Sequence, residues 1–251
     1  STEENLKNFE NKILLYMTRL VAFGCSHTFG EALPDIWDYE KKKPKYGKGP
    51  SKYAWPQLLA DKLNIECVNL GRPGSSNKEI WYHIVNFEFN KDDIVIILWT
   101  VYDRWCTIHN EKVNFKYNPE DINITHINVN HERKRKPNSI AFFKYFHFFA
   151  DVKVDYYMRV NYVSMWLKNK VKILKHYRCT VLSDNYGSAL YKDDTLDNQN
   201  LTKHPDWFIS KFEKEKFYFH ILEKYPKAED NEHCGIEGHD AFANLIYKNL
   251  C

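Results

Sequence analysis

The stretch Leu20-Val21-Ala22-Phe23-Gly24-Cys25-Ser26-His27-Thr28-Phe29-Gly30 decides how this chain is read. Residues 20–23 are apolar and suit a buried strand. Gly24 then allows the backbone to turn sharply, which leaves Ser26 at the strand's carboxyl end. Open α/β sheets place their ligands at that end. A serine hydroxyl alone is a weak nucleophile. It needs a base within reach, a partner that orients the base, and donors for an oxyanion.

Working outward, other segments repeat the pattern of strand followed by turn. Ile65–Leu70 leads to Gly71, and Asp93–Trp99 leads to Thr100. The latter is a continuous apolar run, as expected of a strand buried on both faces. A fourth strand is expected at Cys179–Leu182, ending at Ser183-Asp184-Asn185. Helical spacing separates the strands. Trp55, Leu58, Leu59 and Leu63 mark one helix over 51–63, and Ile80, Ile84 and Phe87 mark another over 77–87. A long helix is expected over 151–177, with Tyr156, Val160, Val163, Leu167, Val171 and Leu174 on one stripe. The final helix, 238–250, carries Phe242, Leu245, Ile246 and Leu250. Alternation of this kind predicts an α/β protein: a three-layer α/β/α sandwich with a central, mainly parallel sheet. Right-handed crossovers then bring Ser26, Gly71 and Thr100 to one sheet edge.

At 251 residues, the chain fits one domain over 17–251. Residues 1–16 read as a helical extension. Insertions are expected near 34–52, a loop rich in lysine, and 105–150. The second contains the basic run 131–136 and the aromatic run 142–149. A net charge of +3 is too small to imply nucleic-acid binding. No stretch has the roughly 20 apolar residues of a membrane span. The apolar piece Ile13–Met17 is shorter than the roughly 7–15 residues of a signal-peptide core, so no export signal is expected. Six scattered cysteines without a CxxC pair suggest reduced thiols, so a cytoplasmic location is expected. The Lys-, Asn- and Tyr-rich composition suggests an AT-rich genome, a viral one among the candidates.

The required base and orienter stand near the end of the chain, in Asp230-Asn231-Glu232-His233. In a turn, this spacing lets the Asp230 carboxylate reach Nδ1 of His233 and leaves Nε2 to take the serine proton. Asp-x-x-His alone equally suits a helix cap, and the pair gains meaning from Ser26 and the turn at 71. That turn reads Asn69-Leu70-Gly71-Arg72-Pro73-Gly74. Gly71 N–H is a natural oxyanion donor, together with the N–H of Ser26. Losing one such donor costs about 2.7–4 kcal/mol in a well-studied protease.

These blocks resemble the SGNH (GDSL-type) hydrolase family. Gly24-Cys25-Ser26 is similar to its first block, and Asn69, Gly71 and Gly74 match its second. Asp230 and His233 match its Asp-x-x-His, followed by Gly238-His239. The blocks occur in family order across residues 20–250. The resemblance implies a flavodoxin-like SGNH fold, with Ser26 as nucleophile, His233 as base, Asp230 as its orienter and Gly71 in the oxyanion hole. Cys25 stands where the family has an aspartate that supports the loop. The third block is altered: Leu98–Arg104 has no asparagine at the expected place. The third oxyanion donor is therefore open between Thr100, Asn77 and Arg104.

The expected activity is ester hydrolysis without a cofactor, on a small acyl ester or an acylated carbohydrate. The resemblance alone points to an O-acetyl group on carbohydrate. The alternative is a catalytically weak or inactive binding or structural protein on the same fold. A metal site from Cys25, His27, His233, Cys234 and His239 lacks zinc-finger spacing. His27 and His239 are instead expected to support the site or lie on the surface. A nucleotide site lacks both the P-loop and the GxGxxG pattern. Nucleic acid is not an expected partner, and the oligomeric state is left open.

Overall fold

Strand β1 (Arg19–Gly24) lies inside a four-stranded sheet, paired in parallel with β4 (Glu66–Gly71) on one side and β5 (Ile94–Trp99) on the other. β5 pairs in parallel with β8 (Ile173–Arg178), so the sheet order is β4-β1-β5-β8. This is the computed structural model of the chain, and it describes residues 18–101, 104–108, 124–128, 149–179 and 224–250. The expected helix over 1–16 lies outside the described residues, as do the runs 131–136 and 142–148.

The sheet has helices on both faces. α2 (Trp55–Leu63) and α5 (Ile236–Leu250) pack on one face, and α3 (Asn77–Val85) and α4 (Phe149–Leu167) on the other. The residues of β1 and β5 alternate between the two cores, as the two-residue period of a strand requires. Leu20, Ala22, Ile94, Ile96 and Leu98 join Trp55, Leu59 and Phe242. Val21, Phe23, Val95, Ile97 and Trp99 join Ile80, Ile84, Tyr156 and Val160. The continuous apolar run of β5 is thus explained: all six residues are buried, three against each layer. The expected three-layer sandwich is the observed fold.

Local chemistry sets the element ends. The Ser76 hydroxyl accepts the Glu79 N–H and caps α3. Pro56 sits in the first turn of α2, where its missing N–H costs nothing, and Asn64 closes that helix in the left-handed region at φ 53°. At the start of β1, Arg19 donates from Nε to the buried carboxylate of Asp93 (2.8 Å), which also accepts the Asn90 N–H.

Two expectations are corrected. The long helix stops at Leu167, and a turn at 168–172 leads into β8 at Ile173. The strand expected at 179–182 therefore begins earlier; residues 180–182 lie outside the described residues. Val171 and Leu174 continue the helical spacing by coincidence, while Lys168-Asn169-Lys170 supplies the polar break. The basic loop at 34–52 is not wholly irregular. It holds a short 3-10 turn (Pro34–Ile36) and then a small antiparallel pair, β2 (Trp37–Asp38) with β3 (Lys43–Pro44). The single turn Ser26–Phe29 that follows β1 is α1. β6 (Arg104–Ile108) and β7 (Ile124–Asn128) form a separate antiparallel pair. Among the described residues, no helix is long and apolar enough to cross a membrane.

Candidate active site

Counting only the main sheet, the strand order is second-first-third-fourth, the doubly wound order in which the crevice opens between the first and third strands. β1 is the first of these and β5 the third. Ser26 leaves β1 at that crevice.

The elbow is made by close packing. A Cβ on Gly24 would lie 2.0 Å from Thr28 Oγ1 and 3.0 Å from the Leu98 carbonyl, so only glycine fits. The chain then winds one turn, with the N–H groups of Thr28 and Phe29 donating to the Cys25 carbonyl. The Ser26 carbonyl accepts from Gly30 (2.9 Å) and Glu31 (3.0 Å), and Gly30 closes the turn at φ 79°. This fixes Glu31 relative to Ser26 through backbone bonds. Ser26 is 1% exposed, and its Oγ has no hydrogen-bond partner among the described residues. A buried unsatisfied hydroxyl costs about 1–3 kcal/mol.

Asp230 and His233 form a closed turn. Asp230 Oδ1 accepts the backbone N–H groups of Glu232 (3.0 Å) and His233 (2.9 Å), and Oδ2 lies 2.5 Å from His233 Nδ1. The turn is fastened to the segment that follows Ser26. The Glu229 N–H donates to the Ala32 carbonyl, and the Tyr39 hydroxyl donates to Glu229 Oε1. As a result the His233 ring lies 4.9 Å from the His27 ring, beside the residue that follows Ser26. His233 Nε2 faces Glu31 Oε2 at 3.5 Å, and no Ser26–His233 hydrogen bond forms. Catalytic hydrogen bonds are often long before substrate binds.

The electrostatics follow from these contacts. Burial disfavours the Asp230 charge, but hydrogen bonds from His233 and Glu232 and the imidazolium charge outweigh it and hold the carboxyl down, to about 2. Burial likewise opposes a charge on His233. The Asp230 hydrogen bond and the charges of Glu31, Asp230 and Cys25 outweigh it, so His233 titrates above the usual histidine range. Burial pushes His27 well down. His239 falls to about 3 through burial and the nearby His233 charge.

The remaining candidates have structural partners. Gly71 N–H donates to Asn69 Oδ1 (2.9 Å), and Asn69 Nδ2 donates to the Thr28 carbonyl. A Cβ on Gly71 would sit 2.4 Å from Phe29 N and 2.7 Å from the Thr28 carbonyl carbon. This geometry corrects the oxyanion role expected for Gly71: its N–H is spent within its own turn, and its missing side chain lets α1 approach β4. Gly71→Ala is accordingly expected to destabilise the fold by roughly 3 kcal/mol. The thermal midpoint should be about 6–12 °C lower, which a melting curve checks; an unchanged midpoint would contradict the packing role.

Asn77 clamps Thr100, accepting its N–H at Oδ1 (2.8 Å) and donating to its carbonyl from Nδ2 (3.2 Å). Thr100 Oγ1 accepts from Arg104 (3.3 Å). These three residues meet at the expected sheet edge, and Asn77 and the Thr100 N–H are engaged with each other. His239 is fully buried, not on the surface: its Nδ1 accepts the Trp55 N–H (3.1 Å) at the start of α2. Cys25 is buried in the core with Cys179 and Cys234, and the thiol hydrogen bond with Cys179 lowers it. Among the described residues, no group of three His, Cys, Asp or Glu side chains is arranged to hold a metal ion.

The sequence reading missed Glu31. The one signal available was a carboxylate just past Gly30, on the far side of the turn that carries Ser26.

No protein-family model matches the chain, and no curated protein matches it. Solved structures do. A member of the lipolytic G-D-S-L family from Veillonella parvula DSM 2008 shares 13% identity, with 93% of this chain and 100% of that chain covered and a TM-score of 0.44. A lipolytic G-D-S-L protein from Desulfitobacterium hafniense DCB-2 shares 12% identity over 92% and 98% of the two chains, at a TM-score of 0.43. An acetyl xylan esterase from Geobacillus stearothermophilus shares 16% identity over 94% and 95%, at 0.45. The chain is thus similar to G-D-S-L lipolytic proteins and to an acetyl xylan esterase.

Proposed function

We propose that this protein is a serine esterase of the SGNH type. The observation that carries this reading is the Asp230–His233 pair seated against the elbow of Ser26, at the crevice where the strand order reverses. Ser26 Oγ attacks the ester carbonyl carbon as His233 Nε2 takes its proton. Asp230 keeps the proton on Nδ1 and stabilises the imidazolium. The imidazolium then gives its Nε2 proton to the leaving alkoxide. Water hydrolyses the acyl-Ser26 by the same route in reverse, and no cofactor takes part.

For the oxyanion, the N–H of Ser26 and that of Gly74 are the proposed donors. Gly74 belongs to the same turn as Gly71, at φ 81°, and follows Pro73, which has no N–H. A small acyl ester, in particular an O-acetyl group on carbohydrate, is the proposed substrate. That choice rests on the ordered motif blocks.

The second reading, a binding or structural protein with a weakened site, draws on the missing Ser26–His233 hydrogen bond. A fluorophosphonate probe separates the two. Wild-type protein is expected to gain one phosphonyl group, located by peptide mass spectrometry on the peptide bearing Ser26, and to hydrolyse p-nitrophenyl acetate. Absence of both labelling and turnover would leave the second reading standing.

A further inference from the structure

His233 is held from both sides. Its Nδ1 lies 2.5 Å from Asp230 Oδ2, and its Nε2 lies 3.5 Å from Glu31 Oε2. The two carboxylates come from distant parts of the chain, and both are mostly buried, with side chains 20% and 14% exposed. In a serine esterase, Nε2 is the atom that must accept the Ser26 proton. A carboxylate can accept a hydrogen bond from a ring N–H but has no proton to give to a bare Nε2. The observed geometry therefore suits the imidazolium, with a proton on each nitrogen and a carboxylate at each.

We infer that Glu31 is a positioning residue that holds the protonated ring of His233 through Nε2, so that Asp230, His233 and Glu31 form a resting state from which the ring must deprotonate before it can serve Ser26. This rests on the esterase reading. The first step is loss of the Nε2 proton to solvent, which leaves a neutral ring with its lone pair on Nε2. Glu31 then no longer accepts from Nε2, and Nε2 is available to the Ser26 hydroxyl. When Ser26 attacks, the proton passes from Oγ to Nε2 and the imidazolium forms again, now stabilised by two carboxylates. Glu31 stays anionic throughout.

The backbone makes the arrangement specific. The Glu31 N–H is bonded to the carbonyl of Ser26, so the residue that holds the base is fixed to the residue that the base serves. Other ionisable groups face this pair. Cys25 and His27 belong to the elbow, and His239 comes from α5. Arg104 and Lys227 add positive charge near His27. Burial keeps His27 and His239 neutral, so neither supplies a competing cation.

The test pairs two readouts on the full chain. Proton NMR follows the ring Cε1–H of His233 against pH, identified by its loss in His233→Gln. Kinetics follow kcat/KM against pH with p-nitrophenyl acetate. Removing the carboxylate with Glu31→Gln should lower the His233 midpoint by about one pH unit. The acidic limb of kcat/KM should move down equally, and the plateau should fall several-fold because the ring is a weaker base. Glu31→Asp keeps the charge and should restore part of both effects. Glu31→Ala provides a second neutral variant should the glutamine form fold poorly. The exposed neighbour Glu232 serves as control, and Glu232→Gln should leave the midpoint in place.

An unchanged His233 midpoint in folded Glu31→Gln and Glu31→Ala overturns the inference, as does an equal shift in Glu232→Gln. The NMR titration needs no turnover. If wild-type protein hydrolyses no ester, the esterase reading falls and the titration still decides the role of Glu31. If turnover is normal and the titration is unmoved by Glu31→Gln, the inference about Glu31 falls alone.

Discussion

Ser26→Ala should lower ester turnover by about 10^6-fold, the size of loss seen when the nucleophile of a serine protease is removed. It should do so without harming the fold. Ser26 Oγ is buried and bonded to nothing among the described residues, so its removal strands no partner. Melting midpoints of variant and wild type should agree, or the variant should melt slightly higher, because a hydroxyl buried without a partner is itself unfavourable. A purely structural serine would behave in the opposite way, with stability lost and turnover kept. Turnover unchanged in Ser26→Ala would refute the mechanism even in an active esterase.

Asp230→Asn is expected to lower kcat about 10^4-fold, as the matching change does in a well-studied serine protease. The reason lies in which atoms the turn uses. Oδ1 already accepts two backbone N–H groups, from Glu232 and His233. Asparagine can preserve both bonds only by keeping its carbonyl oxygen there, which puts its NH2 group against Nδ1 of His233. The ring must then accept at Nδ1 and carry its proton on Nε2, the wrong tautomer for a base that serves Ser26. A pH profile separates this from unfolding, since the turn survives. The stability term has its own sign. Asp230 is held down to about 2, so its contribution is present above the usual aspartate range and is lost as pH falls from near 4 through about 2. Loss of less than tenfold in kcat with an intact fold would argue against Asp230 as the orienter.

Much of the sheet was legible because its strands are short apolar runs ended by glycine or threonine. β5 needed only its composition, since both faces of the strand are covered. β8 was not legible. Its sequence, Ile-Leu-Lys-His-Tyr-Arg, mixes polar residues into a strand. His176 finds partners inside the fold, in the Trp99 indole (3.1 Å) and the Ser164 hydroxyl (3.0 Å). Periodicity cannot foresee partners of that kind.

The site divides along similar lines. Asp230 and His233 are three residues apart, so local spacing carried their pairing. Glu31 and His233 meet only because the loop after α1 is sewn to the segment before α5. Gly71 shows a different difficulty. A glycine that frees an N–H for a ligand and a glycine that admits a neighbouring backbone look the same in sequence. Only the atoms 2.4 Å and 2.7 Å from its absent Cβ reveal which it is.

The closure of one face by α5 has a consequence for synthesis. β1 emerges from the ribosome well before α5, so its face toward α2 is completed only when Phe242, Ala243 and Ile246 arrive to cover Trp55 and Leu59. A nascent chain that has not reached residue 236 presents those side chains to water and to other chains, which is when aggregation competes with folding. The turn bearing Asp230 and His233 leads directly into α5. The step that hides the sticky face is therefore also the step that brings His233 beside the turn of Ser26.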